Sequence, residues 1–395
     1  MRLLLFLSCS LLCSMPAFAD EASLTAEVEA LKRQVAEQAA RLEELSRRLA
    51  ETEDRAAASV ADRPSYEGAE AAAGLSPTQP WLAAGPAEPS GASLRGYAVV
   101  AYRRVEGEPD TFDQEKFAVY FNSPLDDHVS VFAEIEFSHG VRFTEPGEGD
   151  DRDAGTVKVE RALVDYHPAD WAQVRVGKFL TPFGDWNVNH ADPLHYTTSR
   201  PLVAELVFPE TLTGILLQGT IFPGDWEVDY RLHVSNGSGE RPDTEDANWR
   251  KGIGGRLAVR PVGGLQLGAS FLDDADDRYD DWHQQNFGVD FRWRPGALDL
   301  NGEAIVSRSE GDDSQGSPEG YFAEAAYTFD ERLTPVLRYE WLRRPRYGRA
   351  VRVGILGIAY RPLPPLLLKA EYQVRRGGLS TWRDNAFLAS VATFF

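Results

Sequence analysis

The sequence predicts an all-β protein: a 16-stranded antiparallel transmembrane β-barrel preceded by an N-terminal α-helical coiled coil. Three observations carry the prediction. From Leu94 to Phe395, apolar and polar residues alternate with period two, the pattern of strands with one wet and one apolar face. Tight turns and long loops also alternate along the same stretch. Finally, a secretory leader is followed by no apolar run of the roughly 18 residues that a membrane helix needs.

The alternation is clearest in four segments. "WEVDYRLHVS" sets Trp226, Val228, Tyr230, Leu232 and Val234 against Glu227, Asp229, Arg231, His233 and Ser235. "VSVFAEIEF" puts Val129, Val131, Ala133, Ile135 and Phe137 on one face, with Glu134 and Glu136 on the other. "NFGVDFRWRPG" and "LLLKAEYQVRR" repeat the scheme at Phe287–Arg294 and Leu366–Arg375. "TVKVERALVDY" changes phase near Arg161, which predicts a β-bulge.

Seven tight turns punctuate the strands: 122–127, 167–170, 222–225, 260–264, 294–296, 330–333 and 361–365. Pro and Gly there fix turn geometry and end the ladder. Seven such turns, with both chain ends on the same side, give sixteen strands. A soluble sandwich would also alternate, but it does not call for short and long connections in strict turn. An outer-membrane barrel does, with short periplasmic turns, long outer loops and aromatic girdles. The closing strand "NAFLASVATFF" is expected to pair with the first, near Leu94–Val105. It should turn Phe387, Ala389, Val391 and Phe395 to lipid, and Phe395 is expected to serve assembly.

Residues 1–19 read as a signal peptide, with basic Arg2, an apolar core and Ala17-Phe18-Ala19 for cleavage. Both cysteines lie inside it, so no disulfide scaffold is expected. Residues 20–55 carry a heptad with Val28, Val35, Leu42 and Leu49 at a, and Leu24, Leu31 and Leu45 at d. This suits an oligomerisation coil in the periplasm, or a single amphipathic helix on another surface. Residues 56–93, rich in Ala, Pro, Gly and Ser, read as a linker, and 94–395 as the barrel. A net charge of −20 argues against a nucleic-acid partner.

The phase of alternation predicts the lumen wall. Its acids are Glu134, Glu136, Glu227, Asp229, Asp290, Asp299, Glu303, Glu324, Glu340 and Glu371. Its bases are Arg175, Arg231, Arg256, Arg260, Arg292, Arg294, Arg338, Arg352, Lys369 and Arg375. The third long loop, Phe183–Glu210, is apolar and aromatic, unlike the acidic loops around it. Folded into the barrel, it would narrow the pore and present His190, His195 and Arg200 beside Arg175 and Lys178. The alternative is packing on a neighbouring subunit. Neither a metal-ligand spacing nor a catalytic constellation is evident, so no metal, cofactor or enzyme activity is expected.

"VRVGKFLTPFGDWN" at 174–187 resembles the "G-x-F-K-T-P-F-G" strand of the phosphate-selective porin family of Gram-negative outer membranes. The resemblance implies a trimeric porin whose third loop constricts the pore. The expected function is passive diffusion of small hydrophilic solutes, anions among them, in the outer membrane. The partners expected are membrane lipid, solutes and other copies of the chain, as a homotrimer. The alternative is a barrel that binds a larger ligand, a siderophore or an oligosaccharide.

Overall fold

The structure is a computed structural model, and it describes residues 92–140, 155–169, 171–239, 241–245, 250–275, 283–310, 316–344, 350–378 and 384–395. The chain divides into two units, Met1–Arg63 and Pro64–Phe395, and every described residue belongs to the second. The expected signal peptide and coiled coil, and the linker up to residue 91, lie outside the described residues.

Sixteen strands close on themselves in sequence order. They are β1 (Ser93–Val105), β2 (Thr111–Pro124), β3 (Val129–Ser138), β4 (Thr156–Ala169), β5 (Ala172–Leu180), β6 (Thr211–Ile221), β7 (Glu227–Ser235) and β8 (Gly252–Val262). The second half comprises β9 (Leu265–Ala275), β10 (His283–Trp293), β11 (Leu298–Glu310), β12 (Glu319–Tyr327), β13 (Leu333–Arg343), β14 (Val351–Leu363), β15 (Leu366–Arg376) and β16 (Ala386–Phe394). Each connection is a simple antiparallel one, and all seven expected tight turns join consecutive strands. At one of them, closed by the Phe329–Leu333 pair, Asp330 and Glu331 take φ of 47° and 59°, the left-handed region that tight hairpin turns use. Among the described residues, no helix is long and apolar enough to cross a membrane.

Burial follows the alternation. On β13 the outward Leu337 is 62% exposed while its neighbour Arg338 is 1% exposed. An apolar outer face with charge inside suits lipid without and protein or water within. The expected bulge is present: Glu134 pairs Arg161 but Ile135 pairs Val159, leaving Glu160 unpaired. Glu160 and Arg161 consequently both turn inward and are buried, adding one acid to the interior.

The expected inward placement fails at Arg352. It is exposed, whereas Val351, Val353 and Ile355 are buried. "VRVGILGIAY" is apolar on both faces, so a lone arginine at the long-loop end misstates the phase. The inner face of β14 is apolar because other residues inside the barrel cover it.

β16 pairs β1 from Tyr97–Phe394 to Val105–Ala386. Phe387, Val391 and Phe395 point outward and are exposed. Gly96 and Phe395 exchange both backbone hydrogen bonds at 3.0 Å. The Phe395 ring stacks on Phe117 with centroids 5.4 Å apart and planes 15° apart. Only a glycine at 96 fits beneath that ring: a Cβ there would lie 2.1 Å from the Ala118 carbonyl oxygen and 2.7 Å from the Phe395 ring. Phe395→Ala removes a stack across the closing seam that is worth about 1 kcal/mol beyond area burial. The variant is expected to yield less heat-modifiable, folded barrel. Unchanged yield and mobility would show that the ring does not secure the seam.

Candidate functional site

The connection between β5 and β6, residues 181–210, runs through the barrel interior. Its path begins at a conformational constraint. Gly184 sits at φ 70°, and a Cβ there would come within 2.4 Å of Glu303 Oε2; both demand glycine. Short elements follow: a helical turn α1 (Asp185–Val188), a 3₁₀ turn (Asp192–Leu194) and α2 (Leu202–Leu206). Each is too short to be stable alone in water. Packing against the wall holds them.

The two stems of the loop are tied together. The Thr181 N–H donates to the Glu210 carbonyl at 2.9 Å. The Asn187 amide donates to the Thr181 and Glu210 carbonyls at 2.9 and 3.1 Å. The Arg200 guanidinium donates to Asn187 Oδ1 at 2.6 Å and to the Glu210 carboxylate. It also lies over the Trp186 ring, 4.8 Å from the centroid. Lys158 on β4 reaches Glu210 at 3.1 Å.

Wall carboxylates satisfy the loop's backbone donors. Trp186 N–H donates to Glu303 Oε1 at 2.6 Å, Thr198 N–H to Glu371 at 2.8 Å and Leu202 N–H to Glu340 at 2.8 Å. Wall cations do the same for its carbonyls. Lys369 donates to the Asp192 and Thr197 carbonyls at 3.2 and 2.9 Å, Arg338 to that of Ser199 at 2.9 Å, and Arg361 to that of Pro193 at 3.1 Å. Arg361 lies just before the β14–β15 turn, so the loop descends almost to the tight-turn end. Phe183, Leu194, Leu202, Val203, Val207 and Phe208 join inward-facing Leu272, Ile305, Phe322, Leu342, Val353 and Ile355 in one apolar cluster. Loop and wall together form a packed apolar core along this part of the interior.

The five residues expected at the constriction come to different places. Arg175 is 1% exposed and donates to both oxygens of Asp165 on β4, at 2.8 and 3.0 Å. Lys178 pairs with Asp243 in the next long connection at 2.6 Å. Arg200 holds the loop stems. His190 is buried 3.7 Å from Glu134. His195 stacks on Trp186 with centroids 4.1 Å apart and planes 13° apart, and bonds the Asn189 carbonyl. Each of the three cations is therefore matched by a carboxylate.

The expected wall charges are paired in the same way. Arg256 donates to Asp290 at 2.6 Å, and Arg292 and Arg294 converge on Asp299 at 2.7 and 3.1 Å. Arg338 lies 2.7 Å from Glu340. Asp229 accepts from Arg260 at 2.6 Å and Glu134 from Arg161 at 2.6 Å. Glu136 faces Lys116 at 3.7 Å, and Arg231 stands opposite Arg256 and Gln218 in the ladder. Sequence reasoning missed Lys116, Asp185, Asp192 and Glu210. Lys116 follows a register shift between β1 and β2 that breaks the period-two count. The other three are ordinary loop acids until the loop is folded inward, where Asp192 meets Lys116 at 3.3 Å and Asp185 meets Arg292 at 3.5 Å.

Burial sets the protonation of the loop. It pushes His195 down to about 3, helped by the positive field of Arg292. It also pushes His190 well below the ordinary imidazole value, with Arg161 adding to the effect. Burial, the largest single influence, would raise Asp192 and Glu210, but the positive groups around each act together to outweigh it, Lys116 and Lys369 at Asp192 and Arg200 and Lys158 at Glu210, and hold both below the usual carboxylate range. A released imidazole takes a proton near pH 6.5, and the packed one refuses it until much lower pH. Stability of the packed loop is therefore full above about pH 6.5 and falls as pH drops from there toward 3. Protonation of Asp192 and Glu210 acts in the same sense at still lower pH. Buried Glu205, whose carboxyl is raised, acts in the opposite sense. Hydrogen exchange across 181–210 is expected to accelerate between pH 7 and pH 4, after correction for intrinsic rates, while strand amides stay protected. Equal protection of the loop at both values would mean that the histidines do not resist protonation.

No protein-family model matches the sequence. Over 150 residues the chain is 29% identical to an uncharacterized protein of Aquifex aeolicus. That stretch is 37% of this chain and spans only 32% of the relative. Among solved structures, the chain resembles OmpT from the outer membrane of Vibrio cholerae at TM-score 0.55 and 10% identity, covering 78% of this chain and 99% of that one. It resembles an anion-selective porin from Comamonas acidovorans at TM-score 0.54 and 12% identity, covering 77% and 99%. At such identities the likeness is one of fold: the chain folds as the closed sixteen-stranded barrel of outer-membrane porins.

Proposed function

We propose that this protein is an outer-membrane porin that passes small hydrophilic solutes by diffusion, along a path narrowed by residues 181–210. The observation that carries the reading is the course of that loop. It crosses a closed barrel and bonds to the inner faces of strands on nearly opposite sides, among them Lys158 on β4 and Glu303 on β11. The tight turns then face the periplasm, together with the N-terminal segment expected to form a coiled coil. Assembly as a homotrimer is part of the proposal, supported by a trimer form of Vibrio cholerae OmpT.

The expectation of an anion preference rested on Arg175, Lys178 and Arg200. With a carboxylate on each, these cations offer no net positive field, so the proposed solute class is hydrophilic without regard to anionic charge. One observation favours a second reading, a ligand-binding barrel for a siderophore or oligosaccharide. Wall groups such as Glu371 and Lys369 are covered by the loop, as they would be if it gripped a ligand.

Purified, folded protein in planar bilayers is expected to give stepwise conductance. The double variant Arg200→Ala with Glu210→Ala, which unties the loop stems, should raise the step size. Absence of any current would overturn the porin reading, and saturable binding without conductance would favour the second one. An unchanged step in the double variant would count against narrowing by this loop.

A further inference from the structure

The long-loop rim of β13–β15 carries a charge unlike that of the rest of the chain. The protein has a net charge of −20, yet from Trp341 to Val353 it holds Arg343, Arg344, Arg346, Arg349 and Arg352 and no acid. Arg376 follows at the same end of β15. Arg352 and Arg376 are direct partners in the β14–β15 ladder, and both are exposed on the outer face. Like charges directly opposite on a sheet repel. The fold brings these two together and gives neither a carboxylate. Arg352 has no ion pair among the described residues, and Arg376 donates to the Arg375 carbonyl at 2.8 Å and to Asn385 Oδ1 at 3.3 Å. Asp384, the acid nearest in sequence, pairs with neither. Other outward cations on this rim are matched: Arg343 with Glu319 at 2.9 Å and Arg104 with Asp110 at 3.7 Å.

On its other side Arg352 stands opposite Trp341, whose ring stacks on Tyr321 with centroids 5.8 Å apart and planes 24° apart. Trp and Tyr at the end of an outward apolar face mark the level of lipid headgroups. The two guanidiniums therefore sit at the depth of lipid phosphates, outside the lumen and above the acyl chains. Two residues further along β14, Gly354 also faces outward, between Tyr339 and Val374. A Cβ there would meet nothing within 4 Å. The outer surface thus has a notch just beneath the arginines, flanked by the exposed Tyr339 and Val374.

Two guanidiniums side by side suit a phosphate. Its oxygens can accept from the planar donor forks of both, and its charge offsets their repulsion. A zwitterionic headgroup brings its own cation to the same place and gains less. Phosphate reaches such a site either free in water or on a lipid. The outward direction, the aromatic level and the notch favour the lipid, whose apolar part has somewhere to go. We propose that Arg352 and Arg376 clamp the phosphate of an anionic lipid in the leaflet at the long-loop end, and that the notch at Gly354 receives the start of its apolar part. The site rests on the outer-membrane reading in that the outer face must meet lipid, but binding can be measured without transport.

The full chain, folded in dodecyl maltoside, is titrated with dioleoyl phosphatidic acid, and bound lipid is read by native mass spectrometry. Saturable binding is expected, about tenfold or more tighter than that of dioleoyl phosphatidylcholine. The double variant Arg352→Gln with Arg376→Gln should weaken phosphatidic acid binding about tenfold or more, as for lost charge-assisted bonds. Arg104→Gln with Arg308→Gln removes the same charge from outward positions on the same rim and should leave binding unchanged. Gly354→Leu keeps both arginines, fills the notch and should weaken binding. No preference for phosphatidic acid in the wild type overturns the proposal. So does equal binding in an Arg352/Arg376 double variant that retains its heat-modifiable mobility. An equal loss in the Arg104/Arg308 variant would reduce the attraction to net charge and overturn it too. Inorganic phosphate that displaces the lipid at comparable concentration would assign the arginines to a free anion instead. If the Arg352/Arg376 variant does not fold, Gly354→Leu decides, and undiminished binding there sinks the clamp. Bilayer recordings on the same preparation keep the two readings apart. Absence of current overturns the porin and leaves the lipid site standing, whereas current without a preference for phosphatidic acid overturns the site alone.

Discussion

Every backbone N–H and C=O removed from water must find a partner, and the architecture of this protein follows from that constraint. Lipid, the surround proposed for this barrel, offers none, so the strands must pair on both sides, and β16 must return to β1. Closure then fixes the rest. Alternate residues point out to an apolar surround, and the others point in. Sixteen strands leave more width inside than wall side chains alone can fill.

The same constraint recurs inside the barrel. The β5–β6 connection carries its backbone into the interior, where its polar groups are shielded from water by its own apolar cluster. The wall substitutes for solvent. Glu303, Glu371 and Glu340 accept from loop N–H groups, and Lys369, Arg338 and Arg361 donate to loop carbonyls. Inward charges that would be tolerated in any wet lumen here have a structural task. They fix a loop whose helical turns are too short to persist alone.

Electrostatics in such a space is governed by pairing. A buried charge is costly unless it is matched and hydrogen-bonded. Arg175 with Asp165, Arg256 with Asp290 and Arg292 with Asp299 answer that need locally, each between neighbouring or nearby strands. Pairing does not reach every oxygen: Glu134, Asp290 and Glu303 each keep one buried carboxylate oxygen without a hydrogen-bond partner.

The sequence by itself determined the strands, their number and the turns joining them, because period two is a property of each strand alone. It also located the Glu160 bulge through a local change of phase, and it marked 183–210 as unlike the other loops. Arg352 shows where that logic stops: on β14 both faces are apolar, and only the loop packed against the inner face says which is which. Tertiary structure alone decided the partners of Arg175, Lys178 and Arg200, and brought Asp192 to Lys116 and Asp185 to Arg292. The physical reason is separation along the chain. A strand's pattern is written in adjacent residues, whereas the net charge of a site depends on side chains that meet only after the barrel closes and the loop folds into it.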